Sequence, residues 1–367
     1  MDNFFDICIG DIPVKSPVAV ASMAGITDGS YISDLADYIG IGFIGGYAID
    51  EKTIHAAKDL IRQGRDEFLP GNVTEEIRKQ VALVQKSGVV PGVNIRASEA
   101  GSLVTLAREL GNGIIYEIDA HCRQKFMIDA GCGEYLLLHQ EKLVSYVQAL
   151  KIAGVLVSVK IRAGVASDDP ELARLLWRAG ADILHIDLME FTHEYIRKIR
   201  NVTPIFIIAN NSINTFEKAK EIFAHGADMV SLARQSDPVT LKTLNETITQ
   251  YTREHGWYNA PKQLCRGGDI RSLAFCCMPV KPCPLLPTLD KYQISPQEFV
   301  SVKQEGVRGT PLEQGANTCF GSLAYCCKDT TPCMFRDSTL KQEGIRRSVY
   351  MNLKRDLSRK IMQHIFS

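Results

Sequence analysis

The chain has 367 residues, 45% hydrophobic and 23% charged, a balance that belongs to a globular protein larger than one average domain. Its 42 Lys+Arg and 42 Asp+Glu cancel, which excludes a global pull toward nucleic acid or anionic membrane and leaves any RNA contact to local patches. No apolar run approaches the roughly 20 residues of a membrane span, and "MDNFFDICIGDIP" lacks the basic-then-apolar order of an export signal. The expected location is therefore the cytoplasm. There the clustered ones among the 11 cysteines are expected to bind metal rather than to pair as a secreted disulfide scaffold.

From Pro17 to about Glu254, short β-branched runs alternate with longer segments of helical period. The strands predicted in chain order are "PVAVAS", "IGFIGG", "VVPGVNI", "IIYEID", "VLVSVKI", "ILHID", "PIFIIA" and "MVSLA". Between them lie helices such as "SEAGSLVTLARELG", "DPELARLLWRAG" and "NTFEKAKEIFAHG", apolar at three- and four-residue spacing with Gly at the exit. Near-continuous apolar strands alternating with helices imply parallel βαβ units, and eight units close a (β/α)8 TIM barrel. A doubly wound open sheet is the alternative, but no G-x-G-x-x-G opens the first helix. In a barrel, chemistry belongs after the C-terminal ends of the strands. Those ends carry "SMAGITD", "NIRAS", "EIDAHC", "VKIRAG", Asp187, "ANNS" and "LAR". Lys160 and Asp119 are charges in otherwise apolar strands, either a buried pair or groups that face a ligand.

Past Trp257 the composition shifts to Cys, Pro and Gly, and helical periodicity fades. "SLAFCCMPVKPCPL" and "SLAYCCKDTTPCMF" form a repeat. With one upstream cysteine each, they give Cys265, Cys276, Cys277, Cys283 and Cys319, Cys326, Cys327, Cys333. No histidine lies among them, so four thiolates per site suit an iron–sulfur cluster or tetrahedral zinc. Adjacent cysteines fit zinc spacing poorly, and the Pro after Cys283 echoes ferredoxin runs. Two [4Fe–4S] clusters are the favoured expectation, with zinc the alternative. The predicted organisation is a barrel over 1–256, a cysteine-rich module over 257–340, and a basic amphipathic helix over 341–367. In that helix Ile345, Val349, Leu353, Leu357 and Ile361 form an apolar stripe.

Over residues 15 to 240 the strand ends resemble those of the tRNA-dihydrouridine synthases, FMN-dependent TIM barrels. "ASMAGITD" resembles the family's A-P-M-A-G-x-T-D, which implies that Met23, Ala24 and Gly25 line the flavin. "NIRAS" is similar to Q-L-x-G-S, placing Asn94 at the flavin edge, and "YEIDAHCR" to D-I-N-x-G-C-P, making Cys122 the catalytic cysteine. "VSVKIRAG" resembles V-T-V-K-I-R-x-G, so Lys160 would contact the flavin. "IIANNSI" and "GADMVSLAR" resemble the phosphate-binding loops and imply that Asn210, Asn211, Ala233 and Arg234 hold the FMN phosphate. The chain departs from the family at Asp119, at Asp187 (in place of a flavin-touching histidine), and at His121 and Arg123 around Cys122. His121 and Arg123 are expected either to lower the thiol pKa by nearby positive charge or to serve in packing and salt bridges. The cysteine repeat resembles the methanogenesis marker 9 domain of methane-producing archaea.

Three functions follow. The first is a flavin oxidoreductase fed by the clusters or a redox partner protein, acting on a small-molecule or nucleobase substrate. The second is a tRNA-dihydrouridine synthase with structural metal sites. The third is a non-catalytic maturation or scaffold protein linked to methanogenesis.

Overall fold

The computed structural model describes residues 5, 7–203, 205–255, 286–313, 340–341 and 343–366. The eight cysteines of the repeat lie outside the described residues.

Eight parallel strands close the barrel: β3 (Val18–Val20), β4 (Ile41–Ala48), β5 (Val90–Arg96), β6 (Ile115–Ala120), β7 (Leu156–Arg162), β8 (Ile183–Asp187), β9 (Phe206–Asn210) and β10 (Met229–Leu232). They run in sequence order, and β10 pairs with β3. These are the eight strands that the apolar runs predict. Each is buried from side chains inside the barrel and helices outside, as β4 shows with all eight residues buried.

The surrounding helices are α1 (Gly29–Asp34), α2 (Glu51–Arg62), α3 (Val73–Lys86), α4 (Ala100–Leu110), α5 (Lys125–Asp129), α6 (Tyr135–Leu138), α7 (Gln140–Ile152), α8 (Asp169–Arg178), α9 (His193–Arg200), α10 (Phe216–Ala224) and α11 (Pro238–His255). In α3, Ile77, Val81 and Val84 are buried at i, i+4 and i+7 while the opposite face meets water. Several helices start on a side chain that caps their free N–H groups. Asp50 accepts from Thr53 N and Thr53 Oγ1 from Asp50 N in a reciprocal box; Asn72 and Asp168 each cap one further helix.

The floor of the barrel is covered by an antiparallel hairpin that the sequence pattern does not announce, β1 (Ile7–Ile9) and β2 (Ile12–Val14). Its three-residue strands are too short to show alternation. Gly10 turns it at φ +55°, and a side chain there would press within 3.1 Å of Leu156, at the start of β7. Arg200, fully buried, ties the floor turns together, reaching Asp228 at 2.6 Å and the carbonyls of Thr203, Ile205 and Gly226.

Beyond the barrel stand α12 (Leu286–Lys291), α13 (Pro296–Val307) and α14 (Arg347–Phe366). The expectation that helical order fades past Trp257 is corrected by α12 and α13. Ser295 caps α13 through Glu298 N, with Pro296 at the first turn. This start signal is legible in "SPQE" but masked by the Cys- and Pro-rich composition around it. Helix α14 packs on α13 and on β1. Leu357 and Ile361 are buried as the stripe predicts, but Val349 is exposed and Tyr350 takes the buried place.

Candidate active site at the mouth of the barrel

A cavity of about 640 Å³ opens at the C-terminal ends of the strands, within the range of small-molecule sites. Every barrel strand or the loop after it contributes, and the period-two rule decides which residues face in. Asn94 and Arg96 come from β5, Asp119 from β6, Lys160 and Arg162 from β7, Asp187 from β8 and Asn210 from β9. Strand register sets neighbours side by side: Asn94 with Glu117, Asp119 with Lys160, Arg162 with Asp187, and Asp187 with Asn210.

Two polar layers result. The deeper one is fully buried. Glu117 accepts from Asn94 Nδ2 at 2.9 Å, Ser158 Oγ at 3.0 Å and His185 Nδ1 at 2.7 Å. His185 Nε2 then meets Ser231 Oγ at 2.8 Å, which accepts from Asn210 Nδ2 at 2.8 Å. Burial opposes ionisation of Glu117, but His185, Lys160 and Asn94 outweigh it and hold the carboxyl below its usual range. Burial keeps His185 below its ordinary value despite Glu117. The imidazole is thus a neutral donor at Nδ1 and an acceptor at Nε2.

The upper layer surrounds Cys122. Asp119 Oδ1 accepts from the backbone N–H groups of His121 and Cys122, both at 3.0 Å, and so shapes the turn that carries the thiol. The "GCGE" segment locks this turn from below. Glu134 N donates to Cys122 O at 2.9 Å, and Gly133, at φ +64°, approaches so closely that a Cβ would stand 2.2 Å from that oxygen. Arg96 donates through Nε to Asp119 Oδ2 at 3.0 Å and through Nη1 to Glu67 Oε2 at 2.5 Å. His121 Nε2 lies 2.7 Å from Asp187 Oδ2, and Arg162 Nε lies 2.6 Å from Glu134 Oε1. Burial works against ionisation of Asp119 and Asp187, yet Arg96 and His121 respectively pull both below the ordinary range. Glu67 goes the other way: burial outweighs the Arg96 that it shares.

Of the two roles expected of His121 and Arg123, a lowered Cys122 pKa is not what the structure shows, whereas His121 does form an ion-pair contact, with Asp187. The thiol is 7% exposed, and burial pushes its pKa up against the pull of Arg96. His121 is engaged by Asp187, and Arg123 is solvent-exposed. The group at Cys122 is therefore a protonated thiol at neutral pH rather than a thiolate.

Beside Asp119 on the neighbouring strand, Lys160 is 4% exposed and donates to Ser22 Oγ at 3.2 Å and Ser22 O at 3.4 Å. Among the described residues no carboxylate contacts its ammonium. Asn211 and Ser212 follow β9 in positive-φ conformations, with φ +111° and +52°, and Ala233 and Arg234 follow β10. Backbone turns of this kind present N–H groups to an anion.

The structure thus brings together on one cavity Met23, Ala24, Asn94, Asp119, His121, Cys122, Arg123, Lys160, Asp187, Asn210, Asn211, Ala233 and Arg234. Gly25 stands behind the wall instead. At φ +72° it lets the "SMAGITD" turn close against Asp66, whose Cβ a side chain there would meet at 2.4 Å. Thr27 Oγ1 fastens the same turn to Met23 N at 2.7 Å. Sequence reasoning did not find Arg96, Glu117, Arg162 or His185. The available signal was period two within each strand, since Glu117–Asp119 and Arg96–Asn94 are polar pairs that share an inward face.

A parallel eight-stranded barrel with a polar cavity over its strand ends defines a TIM-barrel protein with a candidate site at its mouth. Residues 98–266 match the family described as Dihydrouridine synthase (Dus). The protein MJ0144 of Methanocaldococcus jannaschii is 30% identical over 251 residues, covering 65% of this chain and 94% of that one. MJ0115 of the same organism is 49% identical over 109 residues, 30% of this chain and 70% of that one. A probable tRNA-dihydrouridine synthase of Rickettsia bellii is 26% identical over 242 residues, 62% of this chain and 69% of that one. The chain belongs to one family with the MJ0144 protein, and part of its barrel is similar to the dihydrouridine synthases.

Proposed function

We propose that the chain is an FMN-dependent oxidoreductase that delivers a proton to its substrate from Cys122. The observation that carries this reading is Lys160: a buried ammonium on the cavity wall whose contacts are the hydroxyl and carbonyl of Ser22. Glu117 and Asp119 balance this cation only from beyond direct contact, so its ammonium can take a further negative charge from a ligand. FMN fits the donor set. Its phosphate would be held by the turn at Asn211–Ser212 with Ala233 and Arg234, and its ring by Met23, Ala24, Asn94 and Lys160. Bound there, FMN would supply hydride chemistry, with Lys160 balancing the charge that develops on the ring.

The chain's own residues provide the rest. Asp119 fixes the Cys122 turn, Arg96 holds Asp119, and burial keeps the thiol protonated until a substrate carbon requires its proton. His121, oriented by Asp187, faces the same cavity. In this reading the eight cysteines of the repeat hold two [4Fe–4S] clusters that pass electrons to the flavin, with zinc as the alternative content. Reduction of uridine in tRNA draws support from the Rickettsia bellii relative, a probable tRNA-dihydrouridine synthase, and dihydrouridine content of tRNA from a deletion strain tests it.

Anaerobic purification with flavin, iron, sulfide and zinc analysis tests the proposal. One FMN per chain is expected, and a purified chain that neither retains nor takes up FMN would refute it. Cys122→Ala is expected to keep the flavin while reoxidation of the reduced protein by substrate slows by about 10²–10⁴-fold; an unchanged rate removes the acid assignment.

A further inference from the structure

Charge is unevenly matched around the cavity. Arg96 and Arg162 each touch two acidic side chains, Glu67 and Asp119 for the first, Glu134 and Asp187 for the second. Four other cations on the wall, Lys160, Arg234, Arg65 and Arg123, make no direct ion pair with a carboxylate among the described residues, although Lys160 acts on Glu117 and Asp119, and Arg65 on Glu67, at longer range. In the flavin reading, on which this inference rests, the cofactor phosphate and ring account for Arg234 and Lys160. Arg65 and Arg123 remain. Both lie on the Cys122 side: Arg123 follows the cysteine directly, and Arg65 precedes by two residues the Glu67 that grips Arg96. Both are exposed, so they carry full charge at the opening without the desolvation cost that a buried pair would bear.

We infer that the substrate is a small organic anion, whose carboxylate or phosphate is taken by Arg65 and Arg123 while its reactive carbon lies over Cys122. Guanidinium groups suit this task because their planar fork matches both anions. A polynucleotide fits less well. Backbone binding needs several cations along a track, whereas the residues after Arg65 are Asp66 and Glu67 and the chain's charges cancel.

Equilibrium dialysis of the full chain, with and without FMN, tests the inference with matched probes at one ionic strength: orotate against uracil, and glutarate against glutaramide. The carboxylated member of at least one pair is expected to bind about tenfold or more tightly than its neutral counterpart, the size of one or two charge-assisted hydrogen bonds. The double variant Arg65→Gln/Arg123→Gln should erase that difference and leave FMN bound. Equal binding within both pairs, or a preference that survives the double variant, overturns the inference. So does bulk tRNA that binds through Arg65 and Arg123 and is not displaced by either carboxylate, which would establish the RNA reading instead. Loss of FMN binding with the anion preference intact would sink the flavin reading alone.

Discussion

Arg96 shows what a single buried residue does here. Its side chain is 8% exposed and spans Glu67 and Asp119. Replacing it by methionine fills the space but strands two buried carboxyls, and removing one member of such a cluster costs about 3–5 kcal/mol. Urea unfolding of Arg96→Met should show a loss of that size, and a change under about 1 kcal/mol would mean that the cluster relaxes into water. Asp119 gives the matching pH behaviour. Its folded pKa is depressed, so its contribution is fully present above the unfolded value near 3.9 and disappears as pH falls through the lower folded value. Asp119→Asn should therefore be less stable at neutral pH and lose less stability on acidification, measured by thermal unfolding from about pH 6 to pH 2. Wild type and variant with parallel profiles would contradict this sign. None of this was visible residue by residue in the sequence. Asn94, Asp119, Lys160 and Cys122 were found because they end apolar strands or fit a family motif. Arg96, Glu117 and His185 acquire their roles only through partners on other strands, and register, not local pattern, decides those partners.

At the scale of elements, the strands were legible because burial on both faces leaves little choice but β-branched residues. Short elements were not. The β1–β2 hairpin has too few residues to show a period, and α13 hides its capped start within a Cys- and Pro-rich stretch. Caps offer a clean test of how local chemistry holds the site. Asp50 closes the box at the head of α2 and its other oxygen accepts from Ser98 N at 2.6 Å, joining the loops after β4 and β5. Asp50→Ala should cost about 1–2 kcal/mol and loosen both loops, read as faster amide exchange at Thr53 and Ser98. Unaltered exchange at Ser98 would show that the second bond is idle.

For the whole molecule, the barrel and the cysteine repeat should respond separately. Cys283→Ser and Cys333→Ser are each expected to lower the metal content measured by elemental analysis while barrel unfolding stays where it was. Unchanged metal in both variants would exclude these thiols as ligands. The floor of the barrel has a different consequence. With β1–β2 laid across the lower rim and Arg200 knotted into the turns beside it, the described residues leave a visitor to the cavity the upper opening as its way in and out. A guest lodged deep has to arrive before one lodged shallow, and two that seek the same shallow berth must take turns. The shape of the vessel thereby imposes a timetable on whatever is carried in it.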